Sequence, residues 1–145
     1  MSQRPVKPPQ MNWINPYIVV RDVRRALEFY EKAFGFAILE TQPDRQGRIV
    51  HAEMVYHNEV IMLEPEDGWL GGKPAASGRG SPVAFYIYVE DVDRLCVKAE
   101  AAGARVLDGP ATQYWGERTC RLECPDGYQW IFSQMVGEFD SSQAP

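Results

Sequence analysis

Residues 17–35, YIVVRDVRRALEFYEKAFG, decide the fold. An apolar run ends at Asp22, a short acceptor placed just before a 3.6-period apolar pattern that reaches Phe34. Asp22 is therefore a natural helix N-cap, and Gly35 suits the left-handed residue that ends a helix. Residues 86–103, YIYVEDVDRLCVKAEAAG, repeat the arrangement with Asp91 as cap and Gly103 as break. The two aspartates lie 69 residues apart, and the offset holds within a residue to the end of each copy. A chain that repeats itself once in this way reads as two like modules.

Working outward, the first module opens with a strand over Trp13–Val20, and Phe36–Leu39 follows its helix. A hairpin closes it, Arg48–Tyr56 and Glu59–Glu64 about the turn His57-Asn58. The second opens with Val83–Val89, continues after its helix with Arg105–Leu107, and closes with Arg118–Cys124 and Tyr128–Gln134. Pro125-Asp126-Gly127 turns that hairpin, Gly supplying the positive φ. Each half thus reads strand, helix, strand, strand, strand. Residues 1–11, rich in proline, are expected to be a flexible arm, and 136–145 a flexible polar tail. The glycine-rich stretch from Pro65 to Ser81 precedes a strand rather than a helix, so it reads as a mobile connection and not a phosphate cradle.

At 145 residues, 45% hydrophobic and 24% charged, the composition is that of one globular domain. A net charge of −5 argues against a nucleic-acid partner, whose phosphates need clustered Lys and Arg. No stretch approaches the ~20 apolar residues that span a bilayer, so no membrane partner is expected. Met1 to Gln10 is polar and lacks the apolar core of a leader. Cys96, Cys120 and Cys124 form an odd set with no zinc-type pair, as expected of reduced, packed thiols in a cytoplasmic protein.

These motifs, with His51-Ala-Glu53, Trp115-Gly-Glu-Arg118 and Cys124-Pro-Asp-Gly-Tyr-Gln-Trp130, resemble the glyoxalase/bleomycin-resistance/dioxygenase family, the vicinal oxygen chelate superfamily. The likeness covers roughly residues 12–135, modules about 12–65 and 82–135, and is nearest the PhnB-like subgroup. The resemblance implies an α+β fold: two βαβββ modules forming a curved eight-stranded mixed sheet around a ligand cavity, helices on its convex side. It also implies a homodimer, since the family commonly pairs subunits and sheet edges need cover.

Metal-dependent members place His or Glu on the first and last strand of each module. The matching positions here are Asn15, Met62, Ala84 and Ile131, none a His or carboxylate. The expectation is no metal and no other cofactor.

Strand alternation puts one face of each strand under a helix and the other toward the cavity. Cys120, Leu122, Cys124, Trp130 and Phe132 then form an apolar face. The inward set of the first hairpin includes His51, Glu53, Met62 and Glu64. His51 and Glu64 should face each other, with Glu53 two residues on. His51 and Glu53 are the candidate acid–base residues, although these groups equally serve as hydrogen-bonded members of a wet cavity. Candidate ligand-binding residues are Tyr17, Glu64, Tyr86, Tyr88, Trp115, Arg121 and Gln129. The aromatics suit a planar or cationic ligand. Arg121, at the position equivalent to Glu53, suits an anion or an internal ion pair with Glu53 or Glu123. Two functions follow: a metal-independent small-molecule-binding protein, or a glyoxalase-like lyase or isomerase using cavity acid–base residues or a relocated metal.

Overall fold

The computed structural model describes residues 3–78 and 80–145; Met1, Ser2 and Arg79 lie outside the described residues, and with them parts of the expected arm and connection. The chain divides into two compact units, Met1–Glu31 with Gly35–Pro74, and Lys32–Phe34 with Ala75–Pro145. The elements are β1 (Tyr17–Val20), α1 (Val23–Phe34), β2 (Ala37–Pro43), β3 (Ile49–Tyr56), β4 (Glu59–Pro65), β5 (Ala84–Tyr88), α2 (Val92–Ala101), β6 (Arg105–Thr112), β7 (Glu117–Glu123) and β8 (Gln129–Met135). This is the α+β class with the βαβββ order occurring twice. The eight strands form two four-stranded mixed sheets, β1-β4-β3-β2 and β5-β8-β7-β6. In each, the first strand pairs parallel with the last and the other neighbours are antiparallel.

Both caps form as the sequence dictates. Asp22 accepts from the Arg25 amide at 3.1 Å and Asp91 from the Arg94 amide at 3.0 Å, each satisfying one donor orphaned at a helix start. Gly35 is left-handed at φ 73° and its amide bonds Glu31 O at 3.1 Å. On α1 the buried side chains are Val23, Ala26, Leu27, Tyr30, Ala33 and Phe34, one stripe at helical spacing. On α2 they are Val92, Cys96 and Ala99, and this helix packs on β6, β7 and β8.

The core of the second unit is the expected face of β7 and β8. Cys120, Leu122, Trp130 and Phe132 are fully buried. The Trp130 ring lies 4.5 Å from Phe85, and Phe132 lies 4.7 Å from Phe34. Cys120 Sγ sits 2.9 Å from Cys96 Sγ, both thiols free, and burial pushes the Cys120 thiol upward. Such a thiol packs rather than reacts.

Strand ends depart from the sequence reading where backbone pairing overrides composition. The opening strand starts at Tyr17, not Trp13. Pro16 has no amide to donate, and the chain before it folds back locally. Asn15 Oδ1 accepts from the Asn12 amide at 3.0 Å, and Asn15 Nδ2 donates to Asn12 O at 2.9 Å. The Asn12 side chain in turn holds both backbone groups of Val60. Trp13 and Ile14 are left exposed. Conversely β2 reaches Pro43 and β6 reaches Thr112, because their ladders with β3 and β7 continue through irregularities that polar residues do not announce.

Candidate functional site

In the first unit, β1, β3 and β4 bring Tyr17, His51, Glu53 and Glu64 together. Tyr17 pairs with Met62 and Glu53 faces Met62 on the other side, so one strand aligns both neighbours. Tyr17 Oη lies 3.0 Å from His51 Nδ1, and His51 Nε2 lies 3.2 Å from Glu53 Oε2. Glu53 is buried, and its Oε1 has no hydrogen-bond partner among the described residues. Glu64 is buried too, its Oε2 accepting from the Leu70 amide at 2.8 Å. A Cβ on Gly68 would stand 2.7 Å from that oxygen, so glycine at this place lets the connection fold over the carboxylate. The Trp69 ring sits 6.4 Å from that of Tyr17.

Burial, and then Glu64, push the Tyr17 phenol up to about 12. A phenol ionising later in the folded than in the unfolded chain favours folding while it stays neutral. That contribution is present below pH ~10, the ordinary tyrosine value, and is lost as pH rises toward about 12. In an alkaline titration followed by phenolate absorbance, Tyr17→Phe is expected to remove a late transition. An unchanged curve would contradict the assignment.

The second unit gathers a different set at the equivalent place. Glu117 Oε1 accepts from Tyr86 Oη, from Trp115 Nε1 at 3.0 Å and from Ser133 Oγ at 3.0 Å. Its Oε2 accepts from Tyr88 Oη at 2.8 Å. These donors, Tyr86 foremost, hold the Glu117 carboxyl below the usual carboxylate range, while the bond to Glu117 raises the Tyr88 phenol. Gly116, at φ 86°, makes the turn that sets Trp115 beside Glu117. Val136 and Gly137 bond its carbonyl, and Asp140 bonds that of Tyr114, so the chain beyond β8 fixes this turn.

Glu117 is absent from the sequence candidates although its signal was present. It shares strand parity with Thr119, Arg121 and Glu123, but a strand begun at Arg118 leaves it outside. Arg121 is exposed; among the described residues Glu123 pairs with Arg105 at 3.0 Å and Glu53 with His51. Gln129 is half-buried on the face of β8 that carries Ile131 and Ser133.

At the family's metal positions, Asn15 spends both side-chain polar atoms on Asn12. Met62 offers only a thioether, and Ala84 and Ile131 offer nothing. This set does not fit a divalent first-row metal. Nor does any group of three His, Cys, Asp or Glu residues suited to a metal occur among the described residues.

Comparison with known proteins agrees with this architecture. Residues 10–132 match the model of the Glyoxalase/Bleomycin resistance protein/Dioxygenase superfamily. An uncharacterized protein of Mycobacterium bovis is 33% identical over 134 residues, 90% of this chain and 88% of the relative. TioX from Micromonospora sp. ML1 is similar in structure, with a TM-score of 0.67 at 25% identity, over 85% of this chain and 98% of that one. So is TnmS3, an antibiotic binding protein from Streptomyces sp. CB03234, with a TM-score of 0.64 at 26% identity, over 84% and 93%.

Proposed function

The chain belongs to the glyoxalase/bleomycin resistance protein/dioxygenase superfamily, and from that premise we propose that it binds a small molecule without the family's metal. The donor set Asn15, Met62, Ala84 and Ile131 carries this reading, because it lacks every anionic or imidazole ligand. The likeness to TnmS3 supports an antibiotic-like organic molecule as the ligand class. Within each unit, the aromatic residues Tyr17 and Trp69, or Tyr86, Tyr88 and Trp115, stand beside carboxylates and offer flat faces with polar ends. Gln129 and Arg121 complete the proposed lining. The PhnB-like subgroup and a cytoplasmic location belong to the same reading.

The test is titration of tryptophan fluorescence with a panel of planar aromatic antibiotics, with and without chelator. Saturable binding that ignores the chelator is expected, with an unchanged melting temperature, since a metal held only by the native state would add stability by linkage. One equivalent of zinc, nickel, iron or manganese in protein purified without added metal would overturn the proposal.

A second reading has its own support. Tyr17, His51 and Glu53 form a continuous hydrogen-bonded chain ending on a buried, unpartnered oxygen, an arrangement suited to moving a proton. Conversion of a bound ligand to product, abolished by His51→Ala, would select this acid–base enzyme over the binding protein. We also propose a homodimer. Light scattering at micromolar concentration should give twice the chain mass of 16.5 kDa; the single-chain mass would refute it.

A further inference from the structure

We propose that Glu117, Tyr86, Tyr88 and Trp115 form a subsite for an organic ammonium group. This rests on the small-molecule-binding reading and narrows its ligand class.

Three observations carry the inference. First, the charge of Glu117 is held but not neutralised. Its four donors, Tyr86, Tyr88, Trp115 and Ser133, are all neutral. The adjacent cation is turned elsewhere, since Arg118 gives its Nε and Nη2 to Asp93 at 2.7 and 2.8 Å. No ion pair involves Glu117 among the described residues. The carboxylate is half-buried and kept ionised by its donors. A fixed negative charge in partly desolvated surroundings attracts a cation more strongly than one in free solvent.

Second, the aromatic side chains are inverted relative to an ordinary surface tyrosine. A surface tyrosine usually buries its ring and leaves its hydroxyl in water. Here the hydroxyls and the indole N–H are tied inward on Glu117, while Tyr86, Tyr88 and Trp115 remain 44%, 58% and 38% exposed. Three large rings with accessible surface and satisfied polar ends leave hydrophobic and quadrupole contacts as what they can still offer. The faces of such rings attract ammonium groups, Trp best. A phenol donating to a carboxylate also gains electron density in its ring, which deepens that attraction.

Third, the arrangement is rigid. Tyr86 and Tyr88 stand on one face of β5, their rings 5.7 Å apart at 63°. Trp115 is set by the turn at Gly116, where a Cβ would meet Gly137 O at 2.6 Å. A preformed site loses little freedom when it binds. The first unit is built differently: the carboxylates beside Tyr17 have other partners, Glu53 the His51 imidazole and Glu64 the Leu70 amide.

The probes are choline and 3,3-dimethyl-1-butanol, its neutral isostere of nearly the same shape. By calorimetry on the full chain, choline is expected to bind at least about tenfold more tightly than the isostere, a ratio within the range of a desolvated cation–aromatic contact. Glu117→Gln should reduce choline binding by about tenfold and leave the isostere unchanged. Should Glu117→Gln lower the melting temperature, Trp115→Ala decides: the side chain is exposed, and a severalfold loss of choline binding is expected. Equal binding of the two probes, no binding of choline, or choline binding indifferent to the decisive variant would overturn the subsite. An antibiotic that binds while choline does not would leave the binding function standing and sink this inference alone. Choline binding with no antibiotic bound would do the reverse.

Discussion

Trp130→Ala is expected to lower the unfolding free energy by about 3–5 kcal/mol, the range for truncating a buried aromatic. The ring has no exposed surface. It lies 4.5 Å from Phe85 and 5.4 Å from Phe34, so aromatic side chains from two other elements meet on it. Leu122 faces it across the hairpin. Removing the indole takes away transfer free energy and leaves a void that β-strands tied on both sides collapse into only partly. Urea unfolding should show the midpoint falling with the slope preserved, because the surface exposed on unfolding hardly changes. Trp13→Ala is the control: that ring is 78% exposed, and its loss should change stability by under about 1 kcal/mol. A Trp130→Ala loss as small as the control would mean that the second unit's core lies elsewhere.

The position of Trp130 is legible in the sequence, and the reason is parity. Cys120, Leu122 and Trp130, Phe132 are alternate residues of two strands joined by a short glycine turn, so their burial follows from the pleat once the turn is placed. The helix starts were legible for a similar reason: Asp22 and Asp91 bond an amide three residues on, a wholly local event. What escaped the sequence depends on longer range. The start of β1 was misplaced because the Asn12–Asn15 loop competes with the ladder for backbone groups, and no apolar pattern reports that competition. The extension of β2 through Thr41 and Gln42 is set by the partner strand, not by those polar residues. At the site, alternation placed His51, Glu53 and Glu64 on one face, and the structure joins Tyr17 to them. The same rule held the information for Glu117, whose role was hidden by a strand boundary set one residue late. Arg121 marks the limit of that rule: parity fixes only a face, and the long Arg121 side chain is exposed.

His51→Ala is expected to destabilise the protein by about 1–3 kcal/mol, through what it leaves behind rather than through lost packing. Glu53 is 7% exposed, and among the described residues its hydrogen bond runs to His51. The other oxygen already has none among the described residues. Without the imidazole, a buried carboxylate loses its last partner and keeps its desolvation penalty. Tyr17 suffers less, since Glu64 also bonds its hydroxyl. The imidazole is the hinge of the network, touching Tyr17 through Nδ1 and Glu53 through Nε2. Glu53→Leu removes the orphaned carboxyl group, so His51→Ala in that background should cost less than His51→Ala alone. The interaction energy should be on the order of 1 kcal/mol or more. Chemical denaturation of the four proteins in the cycle measures it directly. Additive effects would show His51 and Glu53 to be neighbours without a shared proton network, and would remove the physical basis for acid–base chemistry in the first unit.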